Sequence, residues 1–165
     1  MVGYYSDKDT KSYLYPNSEV ESKKVLRMMK NPDMEYFLLS DASPKKPFID
    51  YLDNNNLDYD ISELKRIIND TYPVIMSIKK YYNRPRPQKV NNLIKAQDSE
   101  TANTPSYPAG HTFQSYVIAK SLSKIHPLHT FKFYRIAERI AKSRVSAGLH
   151  YPSDNTFSRH LARYF

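Results

Sequence analysis

A short stretch of the chain, Ser143–Asp154, contains three side chains whose types and spacing could do chemistry. Arg144 carries a planar guanidinium whose fork of N–H donors matches the face of an oxyanion. His150 is the side chain best suited to nucleophilic attack or proton transfer near neutral pH. Asp154 follows four residues later, close enough to hold one ring nitrogen of His150. Taken alone, the same residues could equally form a helix end, a turn and the acid-capped start of another helix.

Two further stretches of the chain supply groups of the same kind. Lys79 is followed at short range by Arg86, which lies between two prolines that favour extended backbone. His111 follows Gly110 at a predicted helix start, where backbone N–H groups form a natural anion site. Each cation alone would be interpreted as an ordinary surface residue. Phosphoryl transfer needs neutralised oxygens, a nucleophile and a proton donor, and these residue types could supply them. The surface interpretation is set aside only because their order and spacing match a known family pattern.

In order and spacing, the three stretches resemble the signature motifs of the type 2 phosphatidic acid phosphatase superfamily. This superfamily includes the bacterial class A non-specific acid phosphatases and the vanadium haloperoxidases, and its pattern reads K-x6-R-P, P-S-G-H and S-R-x5-H-x3-D. The matching stretches here are Lys79 to Pro87, Pro108 to His111, and Ser143 to Asp154. The one departure is Ala109, which replaces the serine of the second motif. The residues around the motifs are most similar to those of the class A acid phosphatases.

The resemblance implies a role for each motif residue. His150 would be the nucleophile that forms a phosphohistidine, and Asp154 would fix the tautomer of its ring. His111 would protonate the leaving oxygen and then activate water. The phosphate would be bound by cations and by residues at the start of a helix: Lys79, Arg86, Arg144, Ala109 and Gly110. The resemblance implies no metal and no other cofactor, although vanadate or phosphate could occupy the site.

The predicted function is therefore that of a soluble, metal-independent phosphomonoesterase acting on a small phosphorylated substrate. Two alternatives stay open at this point. A vanadium-dependent haloperoxidase is one, because the same set of residues can hold vanadate. A catalytically weakened phosphate-binding module is the other, because the loss of one oxyanion donor at Ala109 could cost about 10²–10³ in rate. The sequence names neither the substrate nor the oligomeric state.

Helices must position these residues, because apolar side chains recur along the chain with helical spacing and no strand-like alternation is present. We predict an all-α, single-domain helical bundle over residues 17–165, preceded by a loose N-terminal segment, residues 1–16. The resemblance implies an active site at one end of the core helices. The predicted helices cover about residues 18–30, 32–39, 62–82, 110–125, 130–147 and 153–163.

Two predicted loops separate these helices. Residues 40–56 are rich in proline, aspartate and asparagine, and they lack the glycine and glutamate that an EF-hand needs at fixed offsets. We therefore interpret them as a solvated loop. Residues 88–107 form a second, long polar loop, and loops of this length within compact domains are often functional. His126 and His129 are interpreted as surface residues, because no third metal ligand accompanies them.

Composition limits the remaining possibilities. The chain has 165 residues and a net charge of +8, but no dense run of Lys and Arg with interleaved aromatic residues, so nucleic-acid binding is a minor hypothesis. The absence of cysteine excludes disulfides and thiolate zinc sites. No stretch has the apolar length of a signal peptide core or a membrane span. We therefore expect a cytoplasmic protein, or a periplasmic one if a leader has been removed.

Overall fold

The computed structural model describes residues 15–165, and within this range every regular element is helical. The α-helices are α1 (Ser18–Met28), α2 (Met34–Asp41), α3 (Lys46–Asn54), α4 (Ile61–Tyr82), α5 (Pro87–Val90), α6 (Gly110–Ile125), α7 (Thr130–Ser146) and α8 (Pro152–Ala162). Short 3-10 helices occur at Glu100–Asn103 and Pro127–His129. The predicted all-α fold is confirmed, and the helices that carry the motif residues lie close to their predicted bounds.

Helix α6 packs against α4, α7 and α8 and forms the centre of the bundle. Its apolar face includes Phe113, Ile118 and Leu122, which are buried together with Phe133 and Ile140 of α7. Burying one such side chain contributes about 1.5–3 kcal/mol, so this core is sufficient to fix the relative positions of the helices. The core thereby determines which helix ends meet.

The motif residues lie where these helices begin or end. Lys79 is in the last turn of α4, and Arg144 is in the last turn of α7. Gly110 and His111 begin α6, while Asp154 is in the first turn of α8. Residues that are far apart in the sequence are therefore brought to helix termini, where backbone groups and side chains can both contact a ligand.

Asn83 caps the C-terminus of helix α4. It adopts the left-handed conformation (φ 49°, ψ 41°) and donates its backbone N–H to the carbonyl of Lys79. Asparagine tolerates this conformation better than most residues. Arg86 then follows in extended backbone, as its two flanking prolines predict. The short helix α5 begins immediately afterwards, at Pro87.

The turn between α7 and α8 is a Schellman motif. Leu149 donates its N–H to the carbonyl of Arg144, and Gly148 donates to the carbonyl of Val145. Gly148 has φ +80°, a conformation that L side chains rarely adopt, and a Cβ there would approach Ala96 Cα at 3.0 Å. This turn fixes the position of His150 relative to Arg144.

Residues 40–56 are not the continuous solvated loop that the composition predicted. They contain the end of α2 and all of α3, in which Pro47 lies at the start and Phe48 and Leu52 are fully buried. Proline is tolerated in a first helical turn, and Phe48 and Leu52 are four residues apart on one face. Burial of this face outweighs the poor helix propensity of the surrounding Asp and Asn residues.

The remaining predictions for connecting segments are refined by the structure. The predicted loop 88–107 contains most of α5 and the 3-10 helix Glu100–Asn103. Residues 1–14 of the predicted loose segment lie outside the described residues, but Tyr15 at its end is buried against Arg84. In the part of the chain that the structure describes, no helix is long and apolar enough to cross a membrane.

Candidate active site

A cavity of about 370 Å³ opens beside these helix ends, within the size range of small-molecule sites. Five of the predicted site residues line it: Lys79, Arg86, Gly110, His111 and His150. The rest of its wall comes from α4, α6 and the 3-10 helix region: Tyr72, Ile75, Met76, Gln114, Glu100, Thr101 and Thr104. The other three predicted site residues do not line the cavity and are fully buried: Ala109, Arg144 and Asp154.

The imidazole of His150 is held on both sides. Its Nδ1 lies 3.2 Å from Asp154 Oδ2, and its Nε2 lies 3.0 Å from Arg86 Nη1. A carboxylate can only accept and a guanidinium can only donate, so the ring hydrogen is on Nδ1 and the lone pair is on Nε2. Burial, together with the charges of Arg86 and Lys79, holds the pKa of His150 well below its usual value. The ring is therefore neutral near pH 7.

Asp154 is fully buried and accepts three hydrogen bonds. Besides His150, its donors are the backbone N–H of Tyr151 at 2.9 Å and Arg84 Nη1 at 2.7 Å. The bond from Tyr151 also caps α8, so the same carboxylate begins the helix and orients the ring. Burial raises the pKa of Asp154, and the nearby charge of Arg84 acts against that shift.

Arg84 has a structural role that the sequence analysis did not assign. Its guanidinium is fully buried between the rings of Tyr15 and Tyr151, at 4.7 and 3.9 Å from their centroids. It donates to Asp154 and Ser153 and lies within ion-pair distance of Glu21. Arg84 thus supports the carboxylate that supports His150. The neighbouring tyrosines in the sequence K-x-Y-Y-x-R gave no signal of this contact.

Arg86 uses all of its N–H groups within the protein. Its Nε donates to the carbonyl of Thr104, and its Nη2 donates to the carbonyl of Thr101 and, at 3.4 Å, to the Thr104 hydroxyl. Its Nη1 donates to the carbonyl of Leu149 and to His150. Burial and the charge of Arg144 lower the pKa of Arg86 to about 10, although Asp154 acts against this.

Residues 99–105, the segment that contains the 3-10 helix, contact the other two cations of the site. Lys79 Nζ donates to the carbonyl of Pro105. Arg144 Nη2 lies 3.3 Å from the Ser99 hydroxyl and 3.1 Å from the Thr101 hydroxyl. Burial and the charge of Arg86 lower the pKa of Lys79 to about 7. The predicted long loop therefore supplies neutral acceptors to all three cations.

Asp41, the last residue of α2, connects two of the predicted site residues and was missed by the sequence analysis. Its carboxylate accepts from Arg144 Nη1 at 2.6 Å, and its backbone carbonyl lies 2.8 Å from His111 Nε2. Burial acts to raise the pKa of Asp41, but hydrogen bonds from Ser99 and Arg144 hold it below its usual value. No motif marks Asp41, because His111 and Arg144 are 70 and 103 residues away in the chain.

His111 is oriented by that carbonyl. Because a carbonyl only accepts, His111 Nε2 carries a hydrogen, which leaves Nδ1 as the ring atom available for proton transfer. Burial and the charge of Arg144 lower the pKa of His111 to about 3. The free protein therefore holds His111 neutral over the whole physiological range.

The helix start at Ala109 and Gly110 is closely packed. Ala109 precedes the first turn of α6 and is fully buried, and its carbonyl accepts from the Ser158 hydroxyl at 3.0 Å. A Cβ on Gly110 would meet Ile75 Cγ2 at 3.4 Å. The backbone of α6 therefore begins beside the cavity, with Gly110 on its wall and Ala109 behind it.

A comparison with protein families matches residues 68–165, more than half of the chain, to the PAP2 superfamily. The match includes every motif on which the resemblance was based. The chain belongs to the PAP2 superfamily.

Two curated relatives are similar to part of the chain. The non-specific acid phosphatase of Salmonella typhi is 34% identical over 93 residues, which cover 54% of this chain and 37% of that protein. The non-specific acid phosphatase of Salmonella typhimurium is 33% identical over 93 residues, with the same coverage. The matched region therefore spans little more than a third of the length of these relatives.

The other histidines of the described residues contact neighbouring segments of the fold. Among residues 15–165, no three His, Asp or Glu side chains lie close enough together to hold a metal ion. His129 Nδ1 lies 2.8 Å from the Tyr51 hydroxyl, and His126 Nε2 lies 2.7 Å from the carbonyl of Asp58. These two histidines therefore stabilise packing at the far ends of α6 and α3.

Proposed function

We propose that this PAP2 protein is a phosphomonoesterase that uses His150 as its nucleophile and requires no metal. The observation that supports this most directly is the neutral ring of His150, held between Asp154 and Arg86 at the wall of the cavity. The names of the two Salmonella relatives favour a phosphatase over a haloperoxidase. The substrate is a small phosphate ester that fits the cavity.

Phosphate binding makes use of the cations that the protein has already desolvated. Lys79 and Arg86 are almost fully buried, and burial lowers the pKa of Lys79 to about 7 and that of Arg86 to about 10. A phosphate anion between them favours the charged form of Lys79 and pairs with the guanidinium of Arg86, which is already protonated near pH 7. Preorganised charges in a site from which water is excluded stabilise the developing transition state strongly.

Substrate binding also frees the nucleophile. The lone pair of His150 Nε2 accepts from Arg86 Nη1 in the free protein. A phosphate oxygen is a stronger, charged acceptor for the same N–H, so it draws this donor away from the ring. Nε2 then attacks phosphorus while the bond between phosphorus and the ester oxygen breaks. Asp154 stabilises the positive charge that develops on the ring.

The proton for the leaving oxygen enters with the substrate. His111 is neutral in the free protein because its pKa is about 3, whereas a phosphate monoester has a second pKa of about 6. The proton of the monoanionic ester passes to His111 Nδ1 and from there to the leaving oxygen. The alcohol departs, and a phosphohistidine remains on His150.

Water completes the cycle. His111 Nδ1 accepts a proton from water as the water oxygen attacks phosphorus, and the electron pair of the N–P bond returns to His150 Nε2. Inorganic phosphate leaves together with the proton held on His111, which restores both rings.

The second candidate function, a catalytically weakened phosphate-binding module, is favoured by Ala109, since a methyl group cannot donate a hydrogen bond to phosphate.

The proposal is tested by steady-state hydrolysis of an aryl phosphate with EDTA present. We expect turnover by the natural protein and none by His150→Ala. His160→Ala is the matched control, because His160 is an exposed histidine on the next helix, and it should retain full activity. Phosphate binding without any turnover by the natural protein would identify the binding module instead.

A further inference from the structure

One wall of the cavity has no role in binding phosphate. Tyr72, Ile75 and Met76 line it on α4, and they lie on the helix face that also presents Lys79. Ile75 is almost fully buried, whereas the Tyr72 side chain is 59% exposed. A phosphate group needs cations and N–H donors rather than apolar surface. This wall is therefore suited to the group that the phosphate is attached to.

The ring of Tyr72 is available for stacking. Within residues 15–165 it takes part in no aromatic pair, although other tyrosines of the same region do. Tyr82, on the same helix, packs against Tyr107 with ring centroids 4.9 Å apart. An exposed aromatic ring on the wall of a cavity offers a flat apolar surface to another ring.

Gln114 adds a directed polar group beside this ring. Its side-chain nitrogen donates to the Thr71 hydroxyl at 3.2 Å and to the carbonyl of Ile68 at 3.5 Å. Both partners lie on α4 within one helical turn of Tyr72. The amide is thereby oriented, and its oxygen makes no hydrogen bond with the described residues. A ligand that carries an N–H or O–H donor could bind there.

The spacing along α4 sets how far the ring of a ligand must lie from its phosphate. Met76 precedes Lys79 by three residues, or roughly 4.5 Å along the axis, and Tyr72 precedes it by seven residues, or roughly 10 Å. A ring bonded directly to the ester oxygen would reach only Met76. A ring separated from the phosphate by a sugar reaches Tyr72.

We propose that this part of the cavity is a nucleoside subsite, so that the preferred substrates are nucleoside 5′-monophosphates. The base stacks on Tyr72, a donor on the base or sugar bonds to the oxygen of Gln114, and the ribose lies along Met76. The inference rests on the proposed function, since Lys79 and Arg86 bind the phosphate of the same substrate. Glu100, at the edge of the cavity, disfavours leaving groups that carry further phosphates.

A comparison of two substrates distinguishes the contribution of the base to kcat/KM from that of the rest of the molecule. Adenosine 5′-monophosphate and ribose 5-phosphate share the leaving oxygen and the sugar, and they differ by the base. We expect Tyr72→Ala to lower kcat/KM for the nucleotide about tenfold more than for the sugar phosphate, because base stacking on aromatic side chains has about this effect. Tyr72→Phe should keep the nucleotide preference.

Tyr81→Ala is the matched control, because Tyr81 is a 57% exposed tyrosine on the same helix that does not line the cavity. It should leave the ratio of the two kcat/KM values unchanged. An equal loss for both substrates in Tyr72→Ala, or a larger loss for ribose 5-phosphate, would overturn the nucleoside subsite. Hydrolysis of the aryl phosphate without hydrolysis of adenosine 5′-monophosphate would also overturn the subsite, whereas failure to hydrolyse any of the three esters would overturn the proposed function itself.

Discussion

Replacing Arg84 by methionine should destabilise the protein strongly, although Arg84 does not line the cavity. Its guanidinium is fully buried and bonds to Asp154, whose side chain is also fully inaccessible to solvent. Methionine keeps the apolar contact with the rings of Tyr15 and Tyr151 but removes the charge. The carboxylate of Asp154 would then lose its strongest partner in a place that water cannot reach.

The size of the effect follows from this burial. Removing one partner of a buried ion pair costs about 3–5 kcal/mol, because the other charge is left uncompensated. A domain of this size has a total unfolding free energy of about 5–15 kcal/mol, so the loss would be a large part of it. Arg66→Met is the control, because Arg66 is 62% exposed and pairs with Glu63 and Asp70. Exposed pairs of this kind contribute about 0–1 kcal/mol.

Urea unfolding followed by circular dichroism measures both variants. We expect the midpoint for Arg84→Met to fall well below that of the natural protein, while Arg66→Met stays close to it and the slopes remain equal. A loss below about 1 kcal/mol in Arg84→Met, no larger than in the control, would refute the reasoning. It would mean that Asp154 is protonated in the folded protein and needs no cation.

Four further predictions concern catalysis. Above about pH 7, kcat/KM should fall at least tenfold per pH unit, because the monoanionic ester and the charged form of Lys79, whose pKa is lowered to about 7, are both lost; a profile that stays flat to pH 9 would contradict this. Vanadate should be a competitive inhibitor that shares its binding site with phosphate. EDTA should not reduce turnover, and inhibition by EDTA that a divalent ion reverses would exclude the metal-independent mechanism. Ala109→Ser should raise kcat, as measured in steady-state assays, if the missing donor limits the rate. An unchanged kcat in that variant would mean that the helix start at Gly110 already supplies enough donors.

Much of the fold could be predicted from the sequence because its helices carry their own signals. Asp60 caps α4, Pro152 begins α8, and Gly148 ends the turn after α7. Besides the four-residue helix α5, the exception was α3, where Pro47 and many Asp and Asn residues concealed a short amphipathic helix. Its stability comes from packing of Phe48 against the core, which local sequence does not reveal.

The candidate site was predicted less completely than the fold. The motif spacing identified five of the residues that line the cavity, including His111 and His150. It did not identify Asp41 or Arg84, whose side chains hold the motif residues in place. Their contacts join parts of the chain 70 to 103 residues apart. Such pairing is determined by tertiary packing and leaves no local pattern.

Covalent phosphorylation of His150 during turnover can be measured directly. The protein is mixed with a radiolabelled phosphate ester, quenched within milliseconds under alkaline conditions that preserve phosphohistidine, and digested for peptide mapping. We expect label on His150, more label in His111→Ala because the attack of water is slowed, and none in His150→Ala. Label on His111, or label that persists in His150→Ala, would contradict it.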